Sequence, residues 1–220
     1  MRAPPPPSLL PLPSGVTPSA WTADMETAGP EGAAAAVLAR DGGACRFCGD
    51  ADPVAPAPFH LDGDHANWGA NNLATACLLC HNAQHWNRPT IGQELVVIWA
   101  PWVPQGALNA LALAIHRAFR SHGEPTALAA RPAGDTPRLR AAWRAYAALA
   151  AQAAEAERIA GTDSPRELGA ALLDPVFRRR RPAALAGLRL LHLGRHFRGG
   201  RDVYPDLVDA TFPKPSPEPR

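Results

Sequence analysis

The chain has 220 residues, of which 46% are hydrophobic and 6% aromatic, enough for one domain of ordinary size with an appendage. No segment reaches the roughly 18 to 20 apolar residues of a membrane span, and the formal net charge of +2 does not by itself indicate nucleic-acid binding. The N-terminal stretch PPPPSLLPLP is too broken by proline for a signal-peptide core, so we expect a cytosolic protein without direct membrane insertion.

Proline, glycine and hydrophobic periodicity divide the chain into predicted elements. We expect disorder in a proline-rich arm, residues 1–30, and in a tail, residues 213–220. The predicted helices cover residues 31–43, 77–85, 105–123, 138–160, 165–173 and 182–193. The predicted strands cover residues 59–61 and 94–99, and a linker covers residues 124–137. This order predicts an α+β fold, in which a small module (31–100) precedes a mostly helical C-terminal extension (101–212).

The four cysteines form two Cys-x-x-Cys pairs, Cys45 with Cys48 and Cys77 with Cys80, and the chain contains no other cysteine. In a cytosolic protein, such pairs favour a metal site over disulfides or over four unrelated thiols. Two Cys-x-x-Cys turns can surround one zinc ion tetrahedrally, with sulfur ligands about 2.3 Å away. Because four cysteines leave no open coordination position, we predict a zinc ion that stabilises the fold rather than a catalytic one.

Histidine and asparagine residues accompany the cysteine pairs, namely His60, Asn72, His81 and His85. In the stretches VLARDGGACRFCG and HLDGDH…NNL…CLLCH their order resembles the HNH nucleases, in which a ββα element is built on a zinc knuckle. The resemblance implies that His60 takes a proton from the attacking water and that Asn72 orients the loop. It also implies that His81 and His85, four residues apart on one helix face, hold an additional divalent cation.

One position departs from the HNH pattern. The residue before the base histidine is Asp, Glu or His in that pattern but is Phe59 in this chain, and phenylalanine cannot coordinate a cation. Asp62, Asp64 or His65, in the following loop, could replace the missing ligand. The alternative is that these residues have only structural roles. In that case His60 caps the hairpin, Asn72 forms hydrogen bonds within the turn and His81 lines the zinc knuckle.

A narrower resemblance extends beyond the zinc module. The stretch ELVVIWAPWVPQGALNALALAIHRAF (94–119) and the stretch GLRLLHLGRHFRG near the C-terminus are similar to the DotN (IcmJ) family of type IVB secretion systems. With the cysteine motif they cover residues from about 35 to 200, except 124–175. The resemblance implies a non-catalytic scaffold or adaptor of the coupling complex, which gathers substrates at the inner-membrane ATPase. It therefore implies a cytoplasmic location at the inner face of the inner membrane, reached through partners.

The expected partners are coupling-complex proteins, foremost the tail of the ATPase. We predict that Trp99 and Trp102 anchor a partner and that an arginine run supplies complementary charge. That run is Arg178, Arg179, Arg180 and Arg181. The alternative for the two tryptophans is that they only cover the back of the zinc module. The alternative for the arginine run is that it is the solvated start of a helix.

Two other functions stay open at the level of sequence. The main alternative is an HNH-class, metal-dependent endonuclease acting on DNA, and the weaker one is a zinc-knuckle nucleic-acid binder without cleavage. Under the secretion interpretation, nucleic acid is a possible but not an expected partner. The position of Phe59 and the segment 93–119 distinguish the scaffold from the nuclease, because a nuclease must replace the lost ligand and does not need the segment.

Overall fold

A computed structural model of the protein describes residues 29–82, 85–127, 131–174 and 185–213. Within these ranges the helices are α1 (Ala33–Arg40), α2 (Leu78–His81), α3 (Ile91–Glu94), α4 (Gln105–Arg120), α5 (Pro137–Ala150), α6 (Ala153–Ala160), α7 (Pro165–Leu173) and α8 (Tyr204–Asp209). The strands are β1 (Ala57–His60), β2 (Leu73–Ala76), β3 (Leu95–Trp99), β4 (Leu188–His192), β5 (Phe197–Arg198) and β6 (Arg201–Asp202). They pair in chain order as β1–β2, β3–β4 and β5–β6, all antiparallel, so the fold is α+β.

The β1–β2 hairpin and helix α2 follow one another directly and carry most of the candidate site. Helix α1 is fixed against this hairpin by two neighbouring side chains at its C-terminal end. Arg40 donates to the Leu73 carbonyl over 2.7 Å, and the Asp41 carboxylate accepts from the Thr75 N–H over 2.8 Å. These bonds satisfy backbone groups on β2 and hold the segment before Cys45 close to the segment before Cys77.

The β3–β4 sheet lies between two hydrophobic cores. Ile98 and Leu191 pack into a core that also contains the cysteines and residues of α4 and α5. On the other face, Val97 and Leu190 pack into a second core with residues of α6 and α7. The sheet joins residues of the predicted module (31–100) to residues of the predicted extension (101–212), because β3 belongs to the first and β4 to the second.

A buried carboxylate network connects α3 with the segment before β5. Glu94 is fully buried and accepts hydrogen bonds from two nitrogens of Arg88, each over 2.8 Å, and from the Thr90 hydroxyl over 2.8 Å. It also contacts His196 Nδ1 at 2.9 Å and accepts from the Phe197 N–H over 3.0 Å. Burial by itself would raise the pKa of Glu94, but these hydrogen bonds and the charge of Arg88 hold it below its ordinary value.

Three predicted helices differ in the structure. The helix predicted at 182–193 is wrong in its described part, because residues 185–187 form a turn and strand β4 then pairs with β3. Its apolar run is buried on both faces of the sheet, and such a run does not distinguish a buried strand from a buried helix. The helix predicted at 138–160 is divided into α5 and α6 at residues 151–152, where the Gln152 carbonyl accepts from the Trp99 N–H.

The helix predicted at 77–85 is shorter in the structure, where α2 ends at His81. Residues 83–84 lie outside the described ranges, and the N–H of His85 donates to the Asn82 carbonyl over 3.1 Å. His81 and His85 therefore do not share one continuous helix face. Most of the predicted arm and tail also lies outside the described residues. Within the described part, no helix is long and apolar enough to cross a membrane.

Candidate metal centre

Two turns bring the four cysteines together. Cys45 and Cys48 lie between α1 and β1, while Cys77 immediately precedes α2 and Cys80 lies within it. The first turn closes with a hydrogen bond of 2.9 Å from the Gly49 N–H to the Cys45 carbonyl. Gly49 has φ of 75°, a left-handed conformation that glycine adopts without steric cost. The glycine after the first cysteine pair thus allows the tight turn that brings the two thiols together.

The four Sγ atoms all lie within 4.8 Å of one another, and those of Cys48 and Cys77 are 3.8 Å apart. A tetrahedron with metal–sulfur bonds of about 2.3 Å has edges of about 3.8 Å, so the sulfur spacing fits a tetrathiolate site. Three of the cysteines are buried and Cys48 is half-buried. Within the described part of the chain, no other group of three or more His, Cys, Asp or Glu side chains brings its ligand atoms this close together. It is a possible metal-binding site, compatible with a structural metal.

The electrostatics of the cluster favour binding of a cation. Hydrogen bonds from Cys48, Cys77 and Cys80 hold the pKa of Cys45 well below its ordinary value. The contact with Cys45 raises the pKa of both Cys77 and Cys80. The thiols therefore compete for negative charge, and a divalent cation would allow all four sulfurs to be deprotonated together.

One further polar group reaches the cluster and was not predicted from the sequence. Asn109 of α4 donates from Nδ2 to the Cys80 sulfur over 3.2 Å, and it accepts at Oδ1 from Gln105 over 2.8 Å. Both amides lie on the buried face of α4, beside Leu108 and Ala112. Two amide residues four apart on a mostly apolar helix face were the available signal, because buried amides are rare without partners.

Four histidines form a second group next to the cysteines. The ring centroids of His60 and His65 are 4.7 Å apart, those of His65 and His85 are 5.0 Å apart, and those of His81 and His85 are 5.0 Å apart. The last pair is stacked with an interplanar angle of 17°. The histidines therefore contact one another as rings, whereas only the cysteines converge on a common point among the described residues.

Burial makes these imidazoles neutral at physiological pH. It lowers the pKa of His81 to about 4 and that of His85 to about 2, and it also lowers the pKa of His60. The Nε2 atom of His81 is 3.0 Å from the Pro58 carbonyl, which can only accept, so Nε2 carries the proton. The Nδ1 atom of His81 and both ring nitrogens of His85 are buried without a hydrogen-bond partner in the described part of the molecule.

Phe59, the residue that departs from the HNH pattern, is buried against aromatic rings. It is 6% exposed, its ring centroid lies 4.8 Å from that of Phe47, and it meets the ring of His81 edge-on at 5.8 Å. Phe47 lies between the first two cysteines in the sequence, so Phe59 packs the knuckle against the histidine group. The position is part of the apolar core.

Asn72 bonds within the loop that connects β1 and β2. Its Nδ2 donates to the Asp62 carboxylate and to the Asn67 carbonyl, each over 2.9 Å. Its Oδ1 accepts from the Asp62 N–H over 3.0 Å, and its carbonyl accepts from the Leu61 N–H over 2.8 Å. These four bonds order the loop directly after His60, which suits both an orienting role and a purely structural one.

The predicted partner-binding residues have different surroundings. Trp99 is half-buried on the second core, and a Cβ at residue 187 would lie 2.0 Å from its ring, so Gly187 is required for this packing. Trp102 is 64% exposed, the largest value among the exposed large apolar residues of the described chain. Arg178, Arg179, Arg180 and Arg181 lie outside the described residues.

The fold and the cysteine cluster define an α+β protein with a possible tetrathiolate metal site. Comparison with known proteins finds no family model and no curated protein that matches this chain.

Proposed function

We propose that the chain is a zinc-stabilised, non-catalytic scaffold or adaptor of a type IVB secretion, or related conjugative, coupling complex. The observation that carries the non-catalytic part is the apolar packing of Phe59 between Phe47 and His81. A buried phenylalanine at that position leaves the histidine group without the ligand that the HNH pattern supplies. Zinc is the proposed metal, because four thiolates in a closed tetrahedron suit it better than they suit magnesium or calcium.

The proposed adaptor role needs an exposed anchor for a partner. Trp102 and Leu111, which are 64% and 42% exposed, lie just before and within α4. Exposed tryptophan is enriched among the residues that contribute most to protein–protein binding. The arginine run at 178–181 is proposed to attract an acidic segment, such as a tail of the coupling ATPase, at the cytoplasmic face of the inner membrane. The secretion assignment itself rests on the sequence resemblance.

Isolation of the tagged protein from its native host tests this function. The wild-type chain is expected to recover a coupling-complex component, and Trp102→Ala is expected to release it faster. Ile159→Ala is the matched control, because Ile159 is also an exposed large apolar residue, 40% exposed, but lies on α6. Recovery of no secretion component, or equal retention by Trp102→Ala and wild type, contradicts the proposal.

A metal-dependent endonuclease is the second candidate, and the histidine group is the observation that favours it. In the described part of the chain, Nδ1 of His81 and both ring nitrogens of His85 are buried without a hydrogen-bond partner. Such nitrogens bind zinc or nickel, whereas Mg²⁺ prefers oxygen ligands. The test is incubation with supercoiled plasmid in Mg²⁺, Mn²⁺, Ni²⁺ or Zn²⁺. The scaffold proposal expects no nicking. Robust nicking that His60→Ala abolishes would instead establish the nuclease.

A further inference from the structure

The side-chain amide of Gln105 pairs with the outer edge of strand β4. Its Oε1 accepts from the Leu190 N–H over 2.9 Å, and its Nε2 donates to the Leu190 carbonyl over 2.7 Å. Both groups of the Leu190 backbone point away from β3, so they would be unsatisfied in the core without this side chain. Gln105 is 5% exposed and therefore cannot exchange these bonds for water.

The same amide determines the orientation of Asn109. Nε2 of Gln105 also donates to Oδ1 of Asn109 over 2.8 Å, so the Nδ2 group of Asn109 faces the sulfur of Cys80, 3.2 Å away. Asn109 is 3% exposed and Cys80 is 1% exposed. The result is a continuous buried path of hydrogen bonds from the Leu190 backbone, through two amides, to a sulfur of the cysteine cluster.

An N–H that donates to a metal-bound thiolate does more than fill the core. It stabilises the negative charge on the sulfur and restricts the direction of its lone pairs, and it is stronger than a bond between neutral groups. Groups of this kind, which contact ligands rather than the metal, commonly change metal affinity by about 10- to 100-fold when they are removed.

We propose that Asn109 is a positioning residue for the metal centre, and that Gln105 holds it in place and thereby connects the centre to strand β4. In this arrangement Asn109 orients Cys80 and stabilises its thiolate, so that metal binding depends on a residue of the QGALNAL segment outside the zinc module. The inference rests on the proposed structural zinc but not on the secretion role.

The test compares Asn109→Asp and Asn109→Ala with wild type, using Zn²⁺ and Co²⁺ as probes. Asn109→Asp keeps the size of the side chain and replaces its donor by a negatively charged acceptor. Chelator competition is expected to show metal binding about 10- to 100-fold weaker in both variants. The sulfur-to-cobalt charge-transfer band is expected to shift, because the sulfur loses its hydrogen bond.

Phe119→Leu is the control for indirect effects. Phe119 is buried on the same helix, packs on Tyr146 and carries no polar group. Because folding and metal binding are linked, any loss of stability lowers the apparent metal affinity, and this control measures that contribution. It is expected to leave the cobalt band at its wild-type position.

Gln105→Met provides a second route to the same answer if Asn109→Asp does not fold. It removes the bond that orients Asn109 without placing a charge near the sulfur, and it is expected to shift the cobalt band less than Asn109→Ala does. A wild-type chain that binds neither metal overturns the zinc assignment together with this inference. Normal binding by wild type with an unchanged band in both Asn109→Ala and Gln105→Met overturns this inference alone.

Discussion

The cysteine cluster and the Glu94 network are both buried, but their charges are balanced from different sources. Glu94 has its counter-charge within the chain, because Arg88 donates to both of its oxygens. The cysteine cluster contains only thiols, which compete for negative charge until a cation binds. One buried polar centre is therefore complete once the chain folds, whereas we expect the other to make folding depend on the metal supply.

The largest effect on folding is expected from a substitution in the cysteine cluster. Cys77→Ser should lose the bound metal and, with it, the folded state of the β1–β2–α2 region, because a module this small has little core of its own. Elemental analysis and circular dichroism are the measurements, and Thr75→Ser, a buried change on β2 that spares the ligands, is the control. A metal-free wild-type protein that is fully folded would contradict this prediction.

Breaking the Glu94 network should lower the stability of the fold while all four cysteines stay in place. Glu94→Gln removes the charge that balances Arg88 and is expected to reduce the free energy of unfolding by about 3 to 5 kcal/mol. Denaturant unfolding measures this loss. The double variant with Arg88→Met should recover part of the stability, because no unpaired charge then stays buried. An additive double variant would show that the two side chains do not act as a pair.

Acid should weaken the protein through a third buried group, His116. It lies 2.9 Å from the Tyr204 hydroxyl, and burial lowers its pKa from 6.5 to about 3. The unfolded chain then binds more protons than the folded one between these values, so stability is complete above pH 6.5 and falls as the pH decreases toward 3. The slope from this group is at most about 1.4 kcal/mol per pH unit.

His116→Gln separates this contribution from acid release of the metal. Glutamine does not titrate, and the variant keeps all four cysteines. The free energy of unfolding of the variant should therefore depend less steeply on pH than that of wild type, between pH 6.5 and 5. Equal slopes in denaturant titrations across that range would exclude His116 as the source of the acid sensitivity.

The smallest effect on stability is expected outside both centres. Trp102→Ala should change the free energy of unfolding by no more than about 0.5 kcal/mol, because Trp102 is 64% exposed. Trp86→Ala is the matched control, since Trp86 is 1% exposed in the second core and its loss is expected to cost about 3 to 5 kcal/mol. Thermal unfolding of the two variants measures the contrast. A large loss in Trp102→Ala would assign that residue to the core.

The histidine group shows why residue types alone do not predict a site. The sequence places His81 and His85 four apart, which predicts two ligands on one helix face. In the structure α2 ends at His81, and the two rings stack at 17° rather than converge. The additional divalent cation therefore stays a prediction, as does a catalytic role for His60 and Asn72.

The sequence by itself determined the α+β class and the cysteine cluster. Those features depend on local patterns, since each Cys-x-x-Cys turn presents two thiolates through its own backbone geometry. Only the tertiary structure decided that residues 188–192 form a strand, that Glu94 is neutralised by Arg88, and that Asn109 donates to Cys80. Leu190 and Gln105 are separated by 85 positions. No local periodicity specifies a contact over that distance, because the partner is selected by how the whole core packs.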